Sequence, residues 1–77
     1  MAGRMKAQEH PSWPALNNAL AVCAVTQAKL EEAASRLVAA GEDVLAQTVL
    51  RAAEAAADAG RLLCRQADVR GIREGDA

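Results

Sequence analysis

Apolar residues recur along the chain at helical rather than strand spacing. Leu16, Cys23, Leu30 and Leu37 follow one another in strict steps of seven. Between them lie Ala19/Leu20, Thr26/Gln27 and Ala33/Ala34. Alternating three- and four-residue intervals describe an amphipathic helix with a heptad seam of large and small positions. This predicts a first helix over about 13–40. Gln27 interrupts its apolar strip, while Val22, Val25 and Val38 widen it. Lys29, Glu32 and Arg36 stand at the intervals that allow ion pairs along a helix.

A second periodic stretch predicts a helix over about 44–68. One stripe is Leu45, Val49, Ala52, Ala56, Ala59 and Leu63, flanked by Leu50, Ala53, Ala57, Gly60 and Cys64. Arg51, Glu54, Asp58, Arg61 and Arg65 make its polar side. Gly60 inside a helix costs about 1 kcal/mol relative to Ala, so it reads either as a mark of close helix contact or as a tolerated weak spot on an open face.

The boundaries carry their own signals. Ser12-Trp13-Pro14 reads as a helix entry, with Ser as cap and Pro in the first turn. Gly41 reads as the stop of the first helix and Asp43 as the cap of the second. A turn confined to 41–43 makes the helices antiparallel neighbours. Residues 1–11 read as a flexible leader and 71–77 as a flexible tail. The predicted fold class is all-α: an antiparallel two-helix hairpin spanning 12–70.

Composition adds one constraint. Twenty of the 77 residues are Ala, and Trp13 is the only aromatic. An interior of alanines lets helices approach closely but buries little area per residue. Ordering the backbone still costs about 1–2 kcal/mol per residue. Such a hairpin is expected to dimerise into a four-helix bundle or to pair with a partner protein. Leu16, Leu20, Leu30 and Leu37, with Leu45, Val49 and Leu63, are expected to form its own seam. Trp13, Val22, Val25 and Leu50 are the expected partner interface, with Trp13 read equally as an apolar lid on the hairpin end.

Charge narrows the partner further. The formal net charge is −1, whereas nucleic-acid binders usually carry a basic patch or stripe. Nucleic acid is therefore the alternative partner, contacted through Arg51, Arg61 and Arg65. The longest apolar stretch, Ala19 to Val25, is far short of the roughly 20 residues of a membrane span. No apolar secretion segment precedes Pro14, so a cytoplasmic location is expected.

No motif for chemistry assembles. Cys23 and Cys64 fall near one level of the hairpin, which admits a redox pair or half of a metal site. As free cysteines in a helical seam they read first as buried, reduced and slow to react. His10 stands alone in the leader. The carboxylates fall at turns or on polar faces, without the Glu-x-x-His units of a two-metal bundle. The expectation is no enzyme, no cofactor and no metal. In outline the chain resembles the small hairpin co-chaperones of type III secretion needle subunits, through Leu37-Val38-Ala39-Ala40-Gly41 followed by the Ala-rich run from Ala52 to Leu63. It is similar in size and heptad pattern to the RNA-modulating dimers of plasmid copy control, but lacks their basic, aromatic-bearing face. The first resemblance implies a chaperone-like protein partner, the second an RNA.

Overall fold

The computed structural model describes residues 9–74. Residues 1–8 of the expected leader and 75–77 of the expected tail lie outside them. Two helices account for most of the rest: α1 over Trp13–Ala39 and α2 over Asp43–Arg70, packed against each other as an antiparallel pair. Among the described residues there is no strand.

Both helices end in the same way. At the end of α1 the Glu42 N–H donates to the Leu37 carbonyl at 2.8 Å, and the Gly41 N–H to the Val38 carbonyl at 2.9 Å. After α2 the Ile72 N–H donates to Ala67 at 2.9 Å and the Gly71 N–H to Asp68 at 3.2 Å. These are Schellman closures, which need a left-handed residue at the turn. Gly41 (φ +84°) and Gly71 (φ +71°) supply it without the steric cost a Cβ would bring. Half-buried Ile72 then follows buried Ala67, the apolar contact that accompanies this motif.

The helix starts differ from the sequence expectation. Ser12 precedes α1, but its side chain makes no capping bond. His10 organises the entry instead: its carbonyl accepts the Trp13 N–H at 2.9 Å and its Nδ1 accepts the Ser12 N–H at 3.0 Å. Asp43 is the first residue of α2 rather than its cap, and Glu42 stands before it. The Asp43 carboxylate still lies in the first turn, where the helix dipole favours negative charge.

The register of the hairpin can be read at three heights. The Gly41 turn pins one end. Midway, a Cβ built on Gly60 would lie 3.7 Å from the Cys23 Cβ. At the open end the His10 N–H reaches the Arg73 carbonyl at 3.5 Å. This register sets Leu37 level with Ala46, Ala34 with Val49, Leu30 with Ala53, Gln27 with Ala56, Cys23 with Gly60, Leu20 with Leu63 and Leu16 with Ala67. All fourteen are buried or half-buried. In most layers a large side chain from one helix meets a small one from the other.

The seam of α2 is therefore rotated from the predicted stripe. Val49, Ala56 and Leu63 belong to it as expected, but Ala46, Ala53 and Gly60 replace Leu45, Ala52 and Ala59. Leu45, expected in the seam, is 52% exposed, whereas Ala46 is 1% exposed. The reason is volume. Leu16, Leu30 and Leu37 already fill their layers, so α2 turns small residues toward them and the backbones close in. Gln27, the polar break in α1, lies opposite Ala56. Its Nε2 donates outward to Glu31 Oε2 at 3.3 Å.

Gly60 follows from the same geometry. Its φ is not in the left-handed region, and an added methyl would make an ordinary van der Waals contact with Cys23. Gly60→Ala should raise stability by about 0.5–1 kcal/mol through helix propensity. Gly60→Leu should lower it by more than about 1 kcal/mol through overpacking against Cys23. Thermal melts of the two variants check this; a Leu variant as stable as the Ala variant would contradict the close approach.

Candidate functional site

The seam leaves each helix with further faces. Along α2 three lengthwise stripes can be separated. The first is the inner seam. The second is charged and runs Arg51, Glu54, Asp58, Arg61, Arg65 and Asp68. The third is Leu45, Thr48, Ala52, Ala55, Ala59, Leu62, Gln66 and Val69. All eight of its residues are exposed, and none carries a charge. Its intervals alternate between three and four, the same heptad rhythm as the seam.

On the same side of the hairpin α1 contributes Ala15, Ala19, Val22 and Thr26. The heptad positions require this, because antiparallel helices bring equivalent flanks together. No charged residue occurs in α1 before Lys29. Near the open end both helices therefore present small or aliphatic side chains over a continuous face. Val22 is 54% exposed, Leu62 49% and Val69 87%. Lys29 and Arg36 are the charged residues on the α1 part of that face, both toward the turn.

The expected partner-interface residues do not form one patch. Val22 and Val25 sit together on α1 around a shallow dimple that also involves Ala21 and Thr26. Leu50 lies on the opposite side of the hairpin, toward the turn, at the edge of the seam. Trp13 is half-buried at the open end of the seam, where its layer is that of Arg70. Leu62 and Val69 were not singled out from sequence, and Leu45 was assigned inward. The regular intervals of the charged stripe were the signal available: between Val44 and Val69 the charges of α2 keep to one stripe and leave two uncharged ones, and a hairpin uses only one.

The opposite side holds an open groove across the middle of the molecule. Cys23, Gln27 and Gly60 form its floor, and Ala24, Ala57, Arg61, Cys64 and Arg65 its sides. Both thiols are free. Cys23 is half-buried against Gly60, but Cys64 is exposed, which corrects the expectation that both are buried. The inward step of the α2 seam to Gly60 leaves Cys64 on the flank. Among the described residues no group of three or more His, Cys, Asp and Glu side chains converges as a metal site would require. His10, placed by the sequence alone in the leader, is half-buried and engaged at the helix entry.

Arg51, Arg61 and Arg65 do share the charged stripe of α2, but Glu54, Asp58 and Asp68 alternate with them. Arg61 is already paired with Asp58 one turn away. On α1 Arg36 pairs with Glu32 at 3.0 Å. These pairs are solvent-exposed and contribute little to stability. The stripe is mixed in sign and offers no continuous run of cations for a phosphate backbone. No helix of the described residues is long and apolar enough to cross a membrane.

No known protein family matches the chain, and neither the curated proteins nor the solved structures include a match to it. The outline likeness to small hairpin chaperones and RNA-modulating dimers is thus left to the residues alone to support.

The thiol environments differ enough to measure. Cys64 should react with an alkylating reagent much faster than Cys23 in the native protein, and at a similar rate in denaturant. Peptide mass spectrometry after timed labelling resolves the two sites. Equal native rates would show that the seam opens freely at Gly60.

Proposed function

We propose that the protein is a non-enzymatic binding module, a small adaptor, chaperone or inhibitor that acts by covering a helical surface with its own uncharged face. One observation carries this reading: an exposed, charge-free heptad stripe on α2, continued by Ala15, Ala19, Val22 and Thr26 of α1, has no partner within the hairpin. A surface helix usually shows one apolar face toward its core and polar residues elsewhere. Here a second apolar face is repeated at a spacing suited to another helix, as in helix-in-groove recognition and in bundles.

The binding face differs from the four residues first expected. Val22 is retained at its centre, joined by Leu45, Leu62 and Val69. Val25 borders it. Leu50 and Trp13 serve the edge and the open end of the seam. The fold completes itself as a four-helix bundle when this face is covered, by a second copy or by a partner's helices. The cytoplasm, where thiols stay reduced, suits free Cys23 and Cys64.

The test is the composition and stoichiometry of what the tagged chain retains from its native cells in high salt, read by light scattering on the eluted complex. A stoichiometric complex, of itself or with a partner, should be lost with Val22→Glu and kept with Gln47→Glu on the opposite side. A wild-type chain that elutes as a bare monomer would overturn the reading.

A further inference from the structure

We propose that the uncharged face is the self-association surface of the protein: a second copy covers it across a two-fold axis lying perpendicular to the helices, so that α2 packs antiparallel on α2 of the other copy and the turns lie at opposite ends. This rests on the binding-module reading and names the partner of that face.

Self-complementarity is the first argument. A two-fold interface requires each surface to fit a reversed copy of itself. Reversing the α2 stripe about Ala57 sets Leu45 opposite Val69, Thr48 opposite Gln66, Ala52 opposite Leu62 and Ala55 opposite Ala59. Aliphatic residues meet at both ends, the two polar residues meet each other, and the remaining Leu meets an Ala. The centre holds only alanines, which lets the backbones approach. Large against small is the rule that already governs the inner seam. The α2–α2 pairing itself buries no charge, because the charged stripe falls outside it; on α1, Lys29 and Arg36 reach the same face toward the turn, and Arg36 is paired there with Glu32.

Charge distribution chooses between the two ways of stacking two hairpins on this face. One keeps both turns at the same end; the other places them at opposite ends. The half nearest the turn carries Glu31, Glu32, Glu42, Asp43 and Glu54 against Lys29, Arg36 and Arg51, a negative balance. In the other half Arg61, Arg65, Arg70 and Arg73 are balanced by Glu9, Asp58, Asp68 and Glu74. Opposite ends keep the two negative halves apart, whereas turns at the same end would stack one over the other. Fields of this kind set orientation more than affinity.

The area is adequate. The stripe from Leu45 to Val69 runs roughly 36 Å at the α-helical rise. Two helices at ordinary packing distance make a face about 20 Å across. The product is roughly 700 Å² for each copy, close to the roughly 800 Å² per partner typical of stable complexes. The α2 stripe alone would supply half of this, so the α1 residues Ala19 and Val22 belong to the same interface.

The experiment uses the full chain. Sedimentation equilibrium should show a dimer. Leu62→Glu should weaken it by roughly 100-fold or more, since two unpaired carboxylates enter an apolar seam. Ala52→Lys combined with Leu62→Glu should restore much of the loss, because residue 52 of each copy faces residue 62 of the other. Rescue also guards against a variant that merely fails to fold. Spin labels at Glu42→Cys, with Cys23→Ala and Cys64→Ala, should report roughly 45 Å between the turns; turns at the same end would give under about 25 Å. A monomer at all concentrations, a short turn-to-turn distance, or a double variant no tighter than Leu62→Glu would each overturn the proposal. If the chain is monomeric alone but holds a different protein through Val22, this inference falls and the binding-module reading stands.

Discussion

The packing of α1 leucines against alanines and a glycine of α2 is the contact on which the rest of this molecule depends. Leu16, Leu30 and Leu37 each take a layer level with Ala67, Ala53 and Ala46. Ala34 returns the exchange by accepting Val49. Interleaving of this kind fixes the distance between the helices, because a small residue admits the opposing side chain to the backbone. It also fixes their register, because a slip of one layer along the seam would set Ala34 against Ala46, Leu30 against Val49 and Leu16 against Leu63. Dispersion attraction falls off so steeply with distance that such a slip would forfeit much of the contact.

The same economy of volume limits what the hairpin can bury. Among the described residues only Ala34, Ala46, Ala53 and Ala67 are buried, and no large side chain is. Two helices form a single layer, and each has one side toward its neighbour and the others toward solvent. Domains ordinarily bury apolar faces between two layers. The exposed heptad stripe of α2 therefore has a physical reading as well as a functional one. On the proposed reading it is the inner face of a second layer, and the association that covers it would supply both stability and role.

Chemistry at the site is correspondingly spare. The groove beside the seam places two thiols and two arginines near one another, yet neither His10 nor any carboxylate pair is aimed into it as a base or ligand set. His10 has a local task instead, holding the Ser12 N–H where a cap is absent. What the fold sets out is apolar area and the boundaries of charge, the features on which the proposed binding surface rests.

The helical class, the break at Gly41 and the antiparallel pairing were legible in the residues, because each follows from local rules: a 3.6-residue period, a left-handed glycine, a turn too short for any other connection. The inner residues of α1 were legible for the same reason, since its leucines mark one line. The face of α2 was not. Its Ala-rich stretch offers several stripes of nearly equal hydropathy, and ranking by size selected Leu45 where the fold selects Ala46. That rotation leaves Leu45 outside the seam, while Cys64 stays on the flank beside Gly60. Periodicity along a single helix says which residues share a stripe. Only the partner helix, by the volume it already fills, decides which stripe is turned inward and which stays exposed.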